Sequence, residues 1–180
     1  KYKNKDFIFF EDETWTYSEI NNTANILAHK LIEDGISHGD KVILFMENRP
    51  SYVSTILALN KIGAVGVLIN TSLKGEPLIH CINSSNSKKC IFGAELSGSL
   101  EGVLSSINIT AKSDIYWVQD LPNGNCPEWA TDINKILDLS KTDNLSETNN
   151  VTAKDIAFYI FTSGTTGVPK AALFPNVKIV

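Results

Sequence analysis

Several features that would assign a function at sight are missing from this sequence. No apolar run approaches the ~20 residues that cross a bilayer as a helix. The opening Lys1-Tyr2-Lys3-Asn4-Lys5-Asp6 lacks the apolar core of a secretory leader, so the protein is not expected to be secreted. It also lacks an initiator methionine, and the chain therefore reads as a fragment, with any membrane anchor lying outside it. The net charge of −4 leaves no basic stripe to neutralise a phosphate backbone, which excludes nucleic acid as the main partner. Cys81, Cys90 and Cys126 are odd in number and widely spaced, with no C-x-x-C pair. They fit reduced, mostly buried thiols in a cytosol-facing protein better than a disulfide frame or a zinc site. His29, His38 and His80 are scattered, and none is expected to be catalytic; no metal-ligating residues are assigned.

What is present is ordinary globular material: 180 residues, 43% hydrophobic and 20% charged. Phe7 to Phe10 and Thr14 to Tyr17, around an acidic turn, read as a hairpin, followed by a helix capped by Ser18 and ended by Gly35. Apolar runs then alternate with helical patterns. Val42 to Met46 is a strand. Pro50 opens a helix with Val53, Ile56, Leu57 and Ile62 on its apolar side. Val65 to Ile69 is the next strand, Pro77 starts a helix, and Cys90 to Phe92 is a strand. A weaker helix spans Leu96 to Ile107 before the strand Ile115 to Val118. Such alternation predicts an α/β fold, a parallel βαβ sheet flanked by helices. The expected organisation is an entry hairpin and helix over 1–40, βαβ units over 41–118, a surface excursion over 119–154, and a strand with a loop over 155–172. The excursion is expected to hold a short helix from Trp129 to Leu137 and a polar run from Asp138 to Asn150.

The most informative stretch is Thr162-Ser163-Gly164-Thr165-Thr166-Gly167-Val168-Pro169-Lys170, which follows the apolar run Ile156 to Phe161. Gly164 and Gly167 allow close backbone approach, the hydroxyls are donors, successive amides can form an anion nest, and Lys170 adds a point charge. Donors and one ammonium, with no carboxylate among them, suit a polyphosphate. The loop is neither a Walker A loop, because Lys170 stands three after Gly167 and Ala171 follows, nor a G-x-G-x-x-G fingerprint. A nucleotide-binding oxidoreductase domain would fit the alternation alone, yet the segment after the first strand is Glu47-Asn48-Arg49-Pro50, with no such fingerprint. Ligands of open α/β sheets bind beyond the carboxyl ends of strands, where this loop lies.

From Tyr159 to Lys170 the sequence resembles the adenylate-forming enzymes, whose phosphate loop reads [YF]-T-S-G-T-T-G-x-P-K. Thr14 to Ile20 and Gly39-Asp40-Lys41-Val42 resemble that superfamily's opening segments. Phe45 to Arg49, Leu68 to Leu73, Leu78 to Cys81 and Ile91 to Leu96 are most similar to the very-long-chain acyl-CoA synthetase and fatty-acid transport protein branch. The resemblance implies an incomplete amino-terminal AMP-binding domain of a two-step ligase. ATP, Mg²⁺ and CoA would serve it, and a long- or very-long-chain fatty acid would pass through acyl-AMP to acyl-CoA. Thr162, Ser163, Gly164, Thr165, Thr166, Gly167 and Lys170 would hold the leaving pyrophosphate, with Lys170 offsetting its developing charge. It also implies membrane association, and a second reading in which uptake or trapping of fatty acid is the main role. The sequence departs from the family after Lys170: Pro175 is expected to interrupt the next strand, and Asn176 stands near a common histidine position.

Overall fold

Residues 2–119, 124–162 and 169–178 are described by a computed structural model of the protein. Two aromatic-rich strands open the chain. β1 (Asp6–Phe10) and β2 (Glu13–Thr16) pair antiparallel as a separate small sheet. Thr16 then caps α1 (Tyr17–Glu33). Its hydroxyl accepts from the Glu19 amide at 3.3 Å, and the Glu19 carboxylate accepts from the Thr16 amide at 2.7 Å. The cap was expected at Ser18, but a reciprocal cap needs Glu or Gln three residues on: Thr16 has Glu19 there, whereas Ser18 has the shorter Asn21. Gly35, at φ +82°, turns the chain out of the helix.

The main sheet is built from β3 (Lys41–Phe45), β4 (Val65–Leu68), β5 (Lys89–Gly93), β6 (Ile115–Val118), β7 (Thr131–Asp132), β8 (Ile156–Thr162) and β9 (Lys170–Pro175). Their order is β7-β6-β5-β3-β4-β8-β9, and every neighbouring pair is parallel except β8 and β9. The α/β sheet read from the sequence is therefore present, with one antiparallel strand at its end. Pro175 does not interrupt β9; it is the last residue of the strand, opposite Ile156, where a missing N–H costs no ladder bond further along.

Period-two alternation sends side chains to both faces. Val42 and Leu44 join α1 and α2 (Pro50–Lys61) in one core, with Leu31, Ala58 and Leu59 fully buried. Ile43 and Phe45 join α3 (Gly75–Ser85) and the short α4 (Ser97–Glu101) in the other, with Leu78, Cys81, Phe92 and Leu100 fully buried. Burying one such Leu, Ile or Phe side chain stabilises the fold by about 1.5–3 kcal/mol.

Three expectations change. The buried side of α2 carries Ser54, Thr55, Ala58 and Leu59, while Val53, Ile56 and Leu57 are half-buried. Ser54 and Thr55 can be buried because each hydroxyl donates to the Ser51 carbonyl, at 3.1 and 2.7 Å. The helix expected over Leu96 to Ile107 is two 3-10 turns flanking α4. The helix expected from Trp129 to Leu137 is instead β7 and one 3-10 turn, Ile133–Lys135, which add a strand to the sheet edge.

The polar run after Asp138 is pinned to the helices. Asn25, fully buried in α1, donates to the Thr142 carbonyl at 2.6 Å and to Asn144 at 3.1 Å; Leu145 enters the core. At the amino edge of the sheet, buried Lys89 reaches Asp114 at 3.0 Å, and the Tyr116 hydroxyl donates to Asp34. Burial, and then the Asp34 carboxylate, hold the Tyr116 phenol protonated.

Candidate functional site

β8 and β9 form the two sides of the loop singled out in the sequence. Thr162 and Lys170 are Cα partners at its base, and the Thr162 hydroxyl donates to the Lys170 carbonyl at 3.4 Å. Both side chains are exposed. Among the described residues Lys170 enters no ion pair, so its charge is available to an anion. Ser163, Gly164, Thr165, Thr166 and Gly167 lie outside the described residues.

The base of the loop is also tied to the body of the domain. His80, half-buried on α3, places Nε2 3.0 Å from the Pro169 carbonyl oxygen. A carbonyl can only accept, so Nε2 carries the proton. Sequence reasoning passed over His80 as one of three scattered histidines. Nothing in local spacing connects it with Pro169, 89 residues away.

The sheet connections make a crevice beside this loop. β3 leads into α2 on one face and neighbouring β4 leads into α3 on the other, so their exit loops diverge. Such a point of divergence is where open α/β sheets hold ligands. The cavity there has a volume of 370 Å³, and Glu47, Asn48, Asn70, Thr71, Tyr52 and Phe161 line it. Phe161 adjoins Thr162, so crevice and loop share a border. A 260 Å³ hollow between the β1–β2 hairpin and the start of α2, and a 730 Å³ one on the outer flank of α1, are lined by no residue of β8.

Glu47, on the crevice lining, is anchored to an ion pair behind it. Arg49 Nη2 donates to Glu95 Oε1 at 2.5 Å, and the Glu47 amide donates to the same oxygen at 2.9 Å. Burial raises the Glu95 carboxyl, but Arg49 and the Glu47 amide outweigh it and hold the group below the usual range. Gly93 makes room: a Cβ there would overlap the Arg49 guanidinium and both Glu95 carboxylate oxygens. Two of the resemblance segments, Phe45 to Arg49 and Ile91 to Leu96, are thus parts of one structure.

The thiols are poor chemical candidates. Burial pushes Cys81 to about 11 and Cys90 to about 12, so neither is a nucleophile near neutral pH. Among the described residues no three His, Cys, Asp or Glu side chains could hold a metal ion. Nor is any helix there long and apolar enough to cross a membrane.

The sequence pattern of the family described as AMP-binding enzyme matches residues 1–179. The chain belongs to that family. It is 32% identical to long-chain fatty acid transport protein 6 of Mus musculus over 183 residues, all of this chain and 29% of the relative. It is 33% identical to the medium/long-chain-fatty-acid–CoA ligase FadD6 of Mycobacterium tuberculosis, over 98% of this chain and 27% of that one. The fold matches the crystal structure of the anthranilate CoA ligase AuaEII in complex with anthranoyl-AMP, at a TM-score of 0.83 and 23% identity. That match covers 97% of this chain and 32% of the ligase. The chain therefore spans less than a third of the length of these relatives.

Proposed function

We propose that the chain supplies the phosphate-gripping part of an AMP-forming fatty acid–CoA ligase. In the reaction, a fatty-acid carboxylate attacks the α-phosphorus of ATP, releasing pyrophosphate; the CoA thiol then displaces AMP from the acyl-AMP. Ser163, Thr165 and Thr166 donate hydroxyls to the β- and γ-phosphates, Thr162 joins them by turning its hydroxyl from the Lys170 carbonyl, and Gly164 and Gly167 let backbone amides approach them. Lys170 offsets the charge that grows on the leaving pyrophosphate, which helps to the degree that this charge is larger in the transition state. Mg²⁺ would arrive with ATP as a Lewis acid on its phosphate oxygens. The described donor set fits that cargo: an exposed hydroxyl and an exposed ammonium with no carboxylate competing for it. No side chain has to act as nucleophile, because the substrate carboxylate does.

The observation that carries this reading is the hydroxyl- and glycine-rich loop ending in Lys170 at the carboxyl end of β8, beside the switch-point crevice. The names of the similar fatty acid–CoA ligase and fatty acid transport protein support a fatty acyl substrate. Transport by trapping is a second reading that the latter name favours, and with it association with a membrane. The protein in its natural length, given ATP, Mg²⁺, CoA and palmitate, is expected to form palmitoyl-CoA and AMP. Absence of acyl-CoA with every chain length offered would overturn the ligase reading. Fatty-acid uptake that survives in a ligase-dead Lys170→Ala variant would favour transport.

A further inference from the structure

We propose that His80 is a positioning residue for the phosphate grip: by holding the Pro169 carbonyl it fixes where Lys170 leaves the loop. The inference rests on the phosphate reading of that loop. It starts from the weakness of β9 as a support. β9 lies at the end of the sheet order, pairs with β8, and exposes Lys170, Ala171 and Leu173, so burial does little to place its first residue. α3 is the opposite kind of element. Leu78, Cys81 and Ile82, on either side of His80, are almost completely buried, which makes the helix a fixed platform.

The tie acts at the peptide that matters. The Pro169 carbonyl and the Lys170 amide belong to one planar unit, so a bond to the carbonyl sets the orientation of both. Pro169 has its φ locked by its ring, so little of that constraint dissipates within the residue. The second attachment of the base, Thr162 hydroxyl to Lys170 carbonyl, lies within the hairpin and moves with it. The bond from His80 at 3.0 Å refers the base of the loop to the body of the domain. A misplacement of about 1 Å in a group that stabilises a transition state can cost about a hundredfold in rate, so such a reference has functional weight.

Two amide substitutions separate reach from polarity. Gln carries its amide nitrogen as many bonds from Cα as His carries Nε2; Asn falls one bond short. The protein in its natural length and its His80→Gln and His80→Asn variants would be titrated with inorganic pyrophosphate by calorimetry, with melting temperature as a control on folding. His80→Asn is expected to weaken binding about three- to tenfold, the worth of one hydrogen bond, and His80→Gln to stay close to the parent. In a Lys170→Ala background His80→Asn should have no further effect, because the tie acts through Lys170. Long-range ¹H–¹⁵N spectra of the unsubstituted chain should show His80 protonated at Nε2. Equal binding by parent, Gln and Asn chains, or an undiminished Asn effect without Lys170, would overturn the positioning role while leaving the phosphate reading standing. No pyrophosphate binding by the unsubstituted natural-length protein, with the Nε2 proton present, would overturn the phosphate reading and leave the tie.

Discussion

Arg49 and Glu95 meet in a space that exists because residue 93 has no side chain. An alanine there would drive apart a pair whose guanidinium is buried and whose carboxylate also takes the Glu47 amide. Separating such a pair leaves charge without its partner, the costly case for a buried ion. Gly93→Ala is therefore expected to lower stability by about 1–3 kcal/mol, read as a fall in the urea midpoint with an unchanged slope. A midpoint within error of the parent would mean that the pair rearranges freely. The pair also places Glu47 at the crevice edge, so the same variant should reshape the cavity beside the loop.

Among the elements, α1 and the polar run after Asp138 depend on each other. Asn144 accepts from Asn25 and Asn21 and lies 3.5 Å from Lys61 Nζ, and His29 reaches the Asp143 carbonyl at 3.2 Å. Asn144→Ala is expected to cost about 1 kcal/mol and to speed amide exchange over residues 141–146; unchanged exchange there would show that Leu145 alone holds the segment. This docking was not legible in the sequence. An Asn-, Ser- and Thr-rich run has the composition of a solvated loop, and its partner Asn25 looks like a polar interruption of a helix. The same limit hid the true face of α2, where Ser54 and Thr55 are buried after bonding their own backbone. It also hid β7, which is two residues long and shows no period. The strands β3, β4, β5, β6 and β8 were legible because sheets covered on both faces demand continuous apolar runs. The loop was legible because its chemistry is contiguous. His80 was not, because its partner comes from a distant turn of the chain.

For the whole molecule, several carboxylates tie elements together and are held below their usual range, about 4. Burial would raise Asp34, Asp40 and Glu95, but Lys30 and Tyr116, Lys88 and Ser37, and Arg49 respectively outweigh it. A carboxyl lowered in the folded state stabilises fully above its unfolded value and loses that contribution as pH falls toward the folded one. Stability should thus be level from neutral pH to about 5 and decline below about 4. Urea midpoints across that range check this, and Asp34→Asn should flatten part of the decline. A midpoint that falls between pH 7 and 5 instead would contradict this account.

The central claim concerns the loop between β8 and β9, and ATP–pyrophosphate exchange tests it most directly. With the protein in its natural length, Mg²⁺, ATP, labelled pyrophosphate and a long-chain fatty acid, the account predicts fatty-acid-dependent exchange. Lys170→Ala should lower it by about ten- to a hundredfold, with a melting temperature close to the parent's, since the side chain is exposed and makes no ion pair among the described residues. Exchange at the parental rate in Lys170→Ala, or none in the parent with any fatty acid, would contradict it.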